Sequence, residues 1–371
     1  KESSDNYDKF KSLYNEKLLE ETKKVVELQK ECGIDVLVSG ELNRDNYMSY
    51  VAEVVDGIKL LSMNDLKEIT TNLESFNKSL EEMDAADNTM NSPICYSKID
   101  TTRRLNELEV HNFQKFIDRD YKVTLPSPYL LTRSMWLREI TGKVYEGRKE
   151  LGHDVVELLK NEIRHLVEEG VKIIQIDEPI LSEVVFTNEK ADNSFYWGAL
   201  SEKVKVDKEL KFARELLEPV LEEIRKHDEV LSIMHVCRGN WTTDESVLLQ
   251  GAYDKLGKFF DALDLDMLAL EFSTPRAGEV EKLFSNNFLD TRVMLGFGCV
   301  NPRSEVIETP EEIVARVEEV LQFLPPERIW LNPDCGFATF AKRPLNPYPI
   351  IQKKLENMVA ASKILREKYC K

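Results

Sequence analysis

With 371 residues, 42% of them hydrophobic and 32% charged, the chain has the composition of a soluble protein and room for one large or two ordinary domains. Its 67 acidic against 50 basic residues give a net charge of -17, which argues against nucleic acid or an anionic membrane as a general partner. No apolar run approaches the roughly 20 residues of a membrane helix, residues 1–30 are too charged for a signal peptide, and six cysteines over this length fit a reducing cytoplasm better than a disulfide framework.

Apolar residues at helical spacing (Phe10, Leu13, Leu18, Val25, Leu28) predict a helix over 7–31, stopped at Gly33. Ile34–Glu41 then reads as a buried strand ending in a carboxylate. Residues 42–121 are less regular. Helical stretches near 47–56 and 64–83, a break at Met90-Asn-Ser-Pro93, a strand over 93–99 and a helical patch near 105–118 predict an inserted hairpin or small subdomain. No glycine- or serine-rich linker isolates it as a separate domain. From Lys122 the chain alternates: strands begin near 122, 171, 230, 267, 292 and 328, with helices over 152–169, 207–226, 245–262, 277–285, 310–323 and 347–367.

Strands alternating with helices at this spacing make a parallel sheet. Together with 34–41 they number seven, one short of a closed (β/α)8 TIM barrel. The missing strand would precede Lys1, or the 93–99 segment would stand in for it. The expected fold is therefore α/β, a single TIM barrel over 1–371 with an insertion at about 42–121. Polar residues gather where the strands end: Glu41, Ser127, Asp177, Glu178, His235, Cys237, Glu271, Asn301 and Cys335. A barrel brings those ends around one axis, where active sites of this fold sit.

His235 and Cys237 are two apart, so an extended backbone projects both to one face. Glu271 and Cys335 end two further apolar runs. Imidazole, thiolates and a carboxylate are a zinc-type ligand set. Taken singly they also read as two buried cysteines, a satisfied core histidine and a surface glutamate, and taken together as a closed structural zinc site. No CxxC pair occurs, so any such site is assembled by the fold rather than by a local knuckle. Glu271 is the hardest and most exchangeable of the four, and a substrate thiol could replace it. The set therefore favours alkylation of a thiol over hydrolysis.

Asp177 and Glu178 are strand neighbours that face opposite ways, so one of them points to the axis. Asp177 could take the amino group of an amino-acid substrate, with Glu41 as a second anchor and Glu178 as a further contact; a salt bridge to a helix is the alternative for each. Trp136 is a stacking surface for a planar methyl donor or a core aromatic. Cys299 is an accessory thiol or a small buried residue, and His111, His153, His165 and His227 lie in helical or polar stretches.

Ile176-Asp177-Glu178-Pro179, His235-x-Cys237, Glu271 and Asn332-Pro333-Asp334-Cys335-Gly336 occur in the order found in cobalamin-independent methionine synthases. Over most of residues 30–350 the chain resembles the C-terminal catalytic barrel of that family. The resemblance implies zinc held by His235, Cys237, Glu271 and Cys335, homocysteine at Glu41 and Asp177, and Trp136 near the pterin of the methyl donor. It also implies methyl transfer to homocysteine, giving methionine, from a methyl-folate or another methyl donor. Length leaves no room for the family's second, N-terminal barrel, so the chain looks like a short, single-barrel branch. That branch is also similar to epoxyalkane:coenzyme M transferase. Two departures stand out: no glycine-serine first strand precedes Lys1, and Asn301 occupies the region of the family's proton-donating histidine. An amide is no general acid at neutral pH. Alkyl transfer to coenzyme M, with Arg238, Arg276 and Arg303 around a sulfonate, is one alternative; a non-catalytic zinc-binding barrel is another.

Overall fold

The computed structural model describes residues 2–69, 91–186, 205–341 and 344–370. Six strands, β3 (Val123–Pro126), β4 (Ile173–Asp177), β5 (Leu231–Val236), β6 (Met267–Glu271), β7 (Met294–Val300) and β8 (Ile329–Pro333), form one parallel sheet in chain order. A seventh segment joins the β3 edge in parallel at Leu37, whose N–H donates to Asp120 O at 2.9 Å and whose carbonyl accepts from Lys122 N at 2.9 Å. The expected strand at 34–41 thus shrinks to a single bridge. The backbone there turns at Gly40 (φ 81°) and Glu41 (φ 54°), which extended pairing does not allow.

Consecutive parallel strands with helices packed outside them make this an α/β chain of the TIM-barrel type. Among the described residues no strand pairing joins β8 to the 34–41 segment. Other contacts bring the two edges together. Ala341 N donates to Asp45 O at 2.9 Å beside the Asn46–Phe340 bridge, and the helix Tyr348–Tyr369 packs on the helix Glu2–Cys32. The 93–99 strand does not supply the missing stave. It appears as β2 (Asn91–Cys95), paired antiparallel with β1 (Ile58–Ser62) outside the main sheet, which is the inserted hairpin. The helix expected over 64–83 is described as Met63–Ile69, and the rest of that range lies outside the described residues.

Local chemistry explains the joins. Gly170 (φ 86°) ends the helix Arg148–Glu168, and Val171 N donating to Leu166 O at 2.9 Å turns the chain into β4. Thr309 and Glu312 form a reciprocal capping box that starts the helix Pro310–Val320. Two apolar layers result. The outer one lies between strands and helices, with Ile174, Ile176, Met234, Val236, Leu268 and Leu270 on the strand side. The inner one is small and separate: Ile173, Ile233, Met267 and Ala269, with Val36, Leu231, Met294 and Trp330 against them. Alternate strand residues therefore point to the axis, and His235, Cys237 and Glu271 continue the inward-facing series of β5 and β6.

Candidate metal centre and substrate site

Above the inner apolar layer, His235, Cys237 and Cys335 converge so that one donor atom from each lies within 4.8 Å of the others. Cys335 Sγ stands 3.5 Å from His235 Nε2 and 3.4 Å from Glu271 Oε1. Around a tetrahedral zinc ion with Zn–S of about 2.3 Å and Zn–N of about 2.0 Å, neighbouring donors are separated by roughly 3.5–3.8 Å, so these three side chains fit the ion, while Glu271 meets Cys335 but stands outside the converging group. His235 Nδ1 meets Ala269 O at 2.9 Å, which orients the ring and leaves Nε2 toward the thiols. Burial works against an imidazolium here, but the Cys237 thiolate and Asp177 outweigh it and push His235 up to about 9. Cys237 is drawn well below the usual thiol range by the hydrogen bond from Cys335, against burial and with help from His235. Burial, then the neighbouring Cys237, pushes Cys335 well above the usual thiol range.

Glu271 is held from behind. Its Oε2 accepts from Arg238 N at 2.8 Å, and the guanidinium groups of Arg303, Arg276 and Arg238 stand 3.4, 3.7 and 3.8 Å from its oxygens. Arg303 is fully buried and also reaches Glu245 at 2.7 Å, Asn240 at 3.1 Å and Asp334 at 3.1 Å. Asp334 in turn accepts from Phe272 N at 3.0 Å, Ser273 N at 2.9 Å and the Ser273 hydroxyl, tying the β8 end to the β6 end. Arg238 lies over the Tyr253 ring at 3.7 Å, and the Tyr253 hydroxyl donates to Val236 O at 2.9 Å while accepting from Glu271 N at 3.0 Å.

On the neighbouring strand β4, Asp177 is the register partner of His235. Burial, then Glu41, pushes its carboxyl up to about 6, although His235 opposes this. Glu41 reaches the inward-facing Thr124 hydroxyl and lies 3.3 Å from buried Arg44, which Glu109 holds at 2.8 Å. A glutamate at positive φ is costly, by about 1–3 kcal/mol; here it turns the side chain toward β3.

The family model for the catalytic domain of cobalamin-independent synthases matches residues 3–212 and 227–364. The chain belongs to that family. Methionine synthase of Saccharolobus solfataricus is 26% identical over 337 residues, covering 90% of this chain and 80% of that protein. The 5-methyltetrahydropteroyltriglutamate--homocysteine methyltransferase of Thermotoga maritima is 24% identical over 359 residues, 97% of this chain but 41% of that longer protein. A solved B12-independent methionine synthase from Shewanella sp. W3-18-1, in complex with selenomethionine, superposes with a TM-score of 0.70 at 17% identity, covering 95% of this chain and 88% of that one. Within the cobalamin-independent synthase family the chain is a methyltransferase-type catalytic domain.

The remaining expected residues of this synthase-family site fall in different places. Glu178 faces the outer layer, opposite to Asp177: it is fully buried, accepting from Ile180 N at 3.0 Å and from the Ser127 hydroxyl, and burial pushes it up to about 7. Trp136 is half-buried at the end of the helix Pro128–Met135, packed against the outer core. Asn301 is committed to structure. Its side chain donates to Glu245 at 3.1 Å and accepts from Arg303 N at 3.0 Å, and its own N–H binds Glu308 at 2.8 Å. Arg238, Arg276 and Arg303 do not line an open anion pocket; they are buried against Glu271, Glu245 and Asp334. Sequence reasoning gives no site role to Asp334 or Tyr253. Asp334 had one available signal, its place beside Cys335 at a strand end.

Proposed function

We propose that this chain is a zinc-dependent methyltransferase acting on a small thiol, with homocysteine as the acceptor and methionine as the product. The observation that carries the reading is the convergence of His235, Cys237 and Cys335 within 4.8 Å, with Glu271 beside them. Those four side chains would hold the ion. When bound, zinc supplies Lewis acidity that lowers a substrate thiol's pKa and keeps it nucleophilic at neutral pH. The names of the family's curated relatives support homocysteine and a methyl-folate as substrates.

The chain's own residues account for binding and orientation. Asp177 and Glu41 lie on the side of β5 away from Glu271 and suit an α-ammonium group, which two carboxylates bind but which a sulfonate does not offer. Glu271, braced by three guanidinium groups, has its charge shared and is the donor most readily exchanged for a thiol. Below the site the strands contribute mainly apolar side chains. Holding thiol and methyl donor together supplies proximity. The methyl source is a methyl-folate or another activated methyl compound. Among the described residues His235 is the histidine at the site, and Asn301 is engaged elsewhere, so a donor whose leaving group needs no proton from the chain suits this site. The arginines' pairing with carboxylates counts against coenzyme M, whose sulfonate would need them free.

Zinc-edge X-ray absorption with and without homocysteine tests the reading. Gain of one sulfur neighbour with loss of one oxygen is expected. An unchanged shell, or Cys237→Ser protein retaining its full zinc content, would remove the assignment.

A further inference from the structure

Below Asp177 the barrel interior contains a line of polar side chains with no part in the chemistry above. Lys122, immediately before β3, donates from Nζ to Gln175 Oε1 at 2.6 Å, and Gln175 Nε2 donates to Asp177 Oδ1 at 2.7 Å. Thr124 and Gln175 are register partners, as are Pro126 and Asp177, so the three groups climb the inner wall between β3 and β4. Around them the inner layer is apolar, with Ile173, Ile233 and Met267 buried. A lysine placed there loses hydration, and burial lowers its pKa while Asp177 and Glu41 oppose the drop, so its charge faces both carboxylates.

The consequence follows from donor and acceptor inventory. A primary amide has nearly the same shape either way round, and its partners decide its direction. An ammonium has donors alone, so Lys122 accepts only the carbonyl end of Gln175. The NH2 end must then face Asp177. Oδ1 is thereby occupied, and among the described residues Oδ2 accepts no hydrogen bond from the chain.

We propose that Lys122, acting through Gln175, is a positioning residue that gives the site its preference for thiols carrying an α-amino group, by fixing the amide so that Asp177 presents Oδ2 to the substrate ammonium. This rests on reading Asp177 as the amino-group anchor. Without Lys122 the carbonyl end of Gln175 loses its charged partner, the amide is no longer braced from below, and the Gln175–Asp177 contact alone leaves the carboxylate free to rotate.

The test compares dissociation constants of homocysteine and 4-mercaptobutyrate, which lacks the amine, on the metal-loaded protein by calorimetry. The parent is expected to favour homocysteine at least tenfold. Lys122→Met should lose most of that ratio by weakening homocysteine while leaving 4-mercaptobutyrate unchanged, which general loosening would not do. Gln175→Met breaks the same link from its other end and should reproduce the result, so the test survives if one variant fails to fold. A variant that retains the parent's ratio overturns the role of Lys122. A parent with no preference for the amine overturns Asp177 as anchor, and the proposal with it.

Discussion

Arg303 carries much of the electrostatic balance of the site on one side chain. It is buried and contacts Glu245, Glu271 and Asp334 together. Removing one member of such a buried cluster strands the others, at a cost of about 3–5 kcal/mol. Arg303→Met should therefore lower the unfolding free energy from urea titration by that order, and Arg303→Lys should recover only part of it, because an ammonium lacks the planar fork. An unfolding free energy within about 1 kcal/mol of the parent's would mean the carboxylates find other partners. Glu178 gives a pH prediction. Burial pushes its folded pKa up to about 7 from 4.5, so the folded chain holds this proton more tightly than the unfolded one. That contribution is full below about pH 4.5 and is lost as pH rises through about 7. On the order of 3 kcal/mol is at stake, and Glu178→Gln should flatten the corresponding part of the stability profile. Identical slopes in parent and variant would assign the effect elsewhere. At this scale the sequence was legible where strand alternation sufficed: His235-x-Cys237 shares a face, and Asp177 and Glu178 divide between two. The burial of Arg303 was not legible, because it depends on which loops meet above the sheet.

Elements were legible where a periodic pattern persisted and obscure where a short cap replaced it. The helix Pro128–Met135 is absent from the periodic pattern because prolines 126 and 128 interrupt it, yet Ser127 accepts from Leu130 N and Pro128 takes the first helical position. The helix expected over 245–262 is a 3₁₀ turn at Glu245–Val247 followed by Asp254–Asp261, and that expected over 277–285 is a 3₁₀ turn at Val280–Phe284. Positive-φ glycines at 251 and 278 interrupt or precede both. β7 makes a sharper point. Gly298 pairs with Glu271, and a Cβ there would lie 2.6 Å from Leu270 O and 2.5 Å from Asp334 Oδ1. Backbone cannot yield to that contact cheaply. Gly298→Ala should cost about 1–3 kcal/mol and displace the end of β6, so zinc measured after dialysis should fall together with the melting temperature. Full zinc retention would show that β6 does not need this close approach.

For the molecule as a whole, the separation of the two apolar layers decides how it would respond to removal of the proposed metal. The sheet bonds and the outer core do not involve the side chains of His235, Cys237, Glu271 or Cys335. Chelation should therefore abolish thiol methylation and lower the melting temperature while leaving far-ultraviolet circular dichroism unchanged. At a metal concentration a hundredfold above its dissociation constant, the lost stabilisation is about 2.7 kcal/mol. Collapse of the secondary structure on chelation would contradict a site assembled by a self-supporting fold. The barrel architecture was legible in the rhythm of strands and helices, whereas the reduction of 34–41 to one bridge followed from two left-handed residues that periodicity does not register.

The alternation that aims the ligands inward also makes strand length a matter of parity. Deleting one residue between Leu231 and His235 would turn His235 and Cys237 toward the helices and present Met234 and Val236 to the axis, while the rest of the sheet could still pair. A change of two would restore the facing at a different height. Descendants of this chain can therefore lengthen their loops one residue at a time, but their ligand-bearing strands only by even steps.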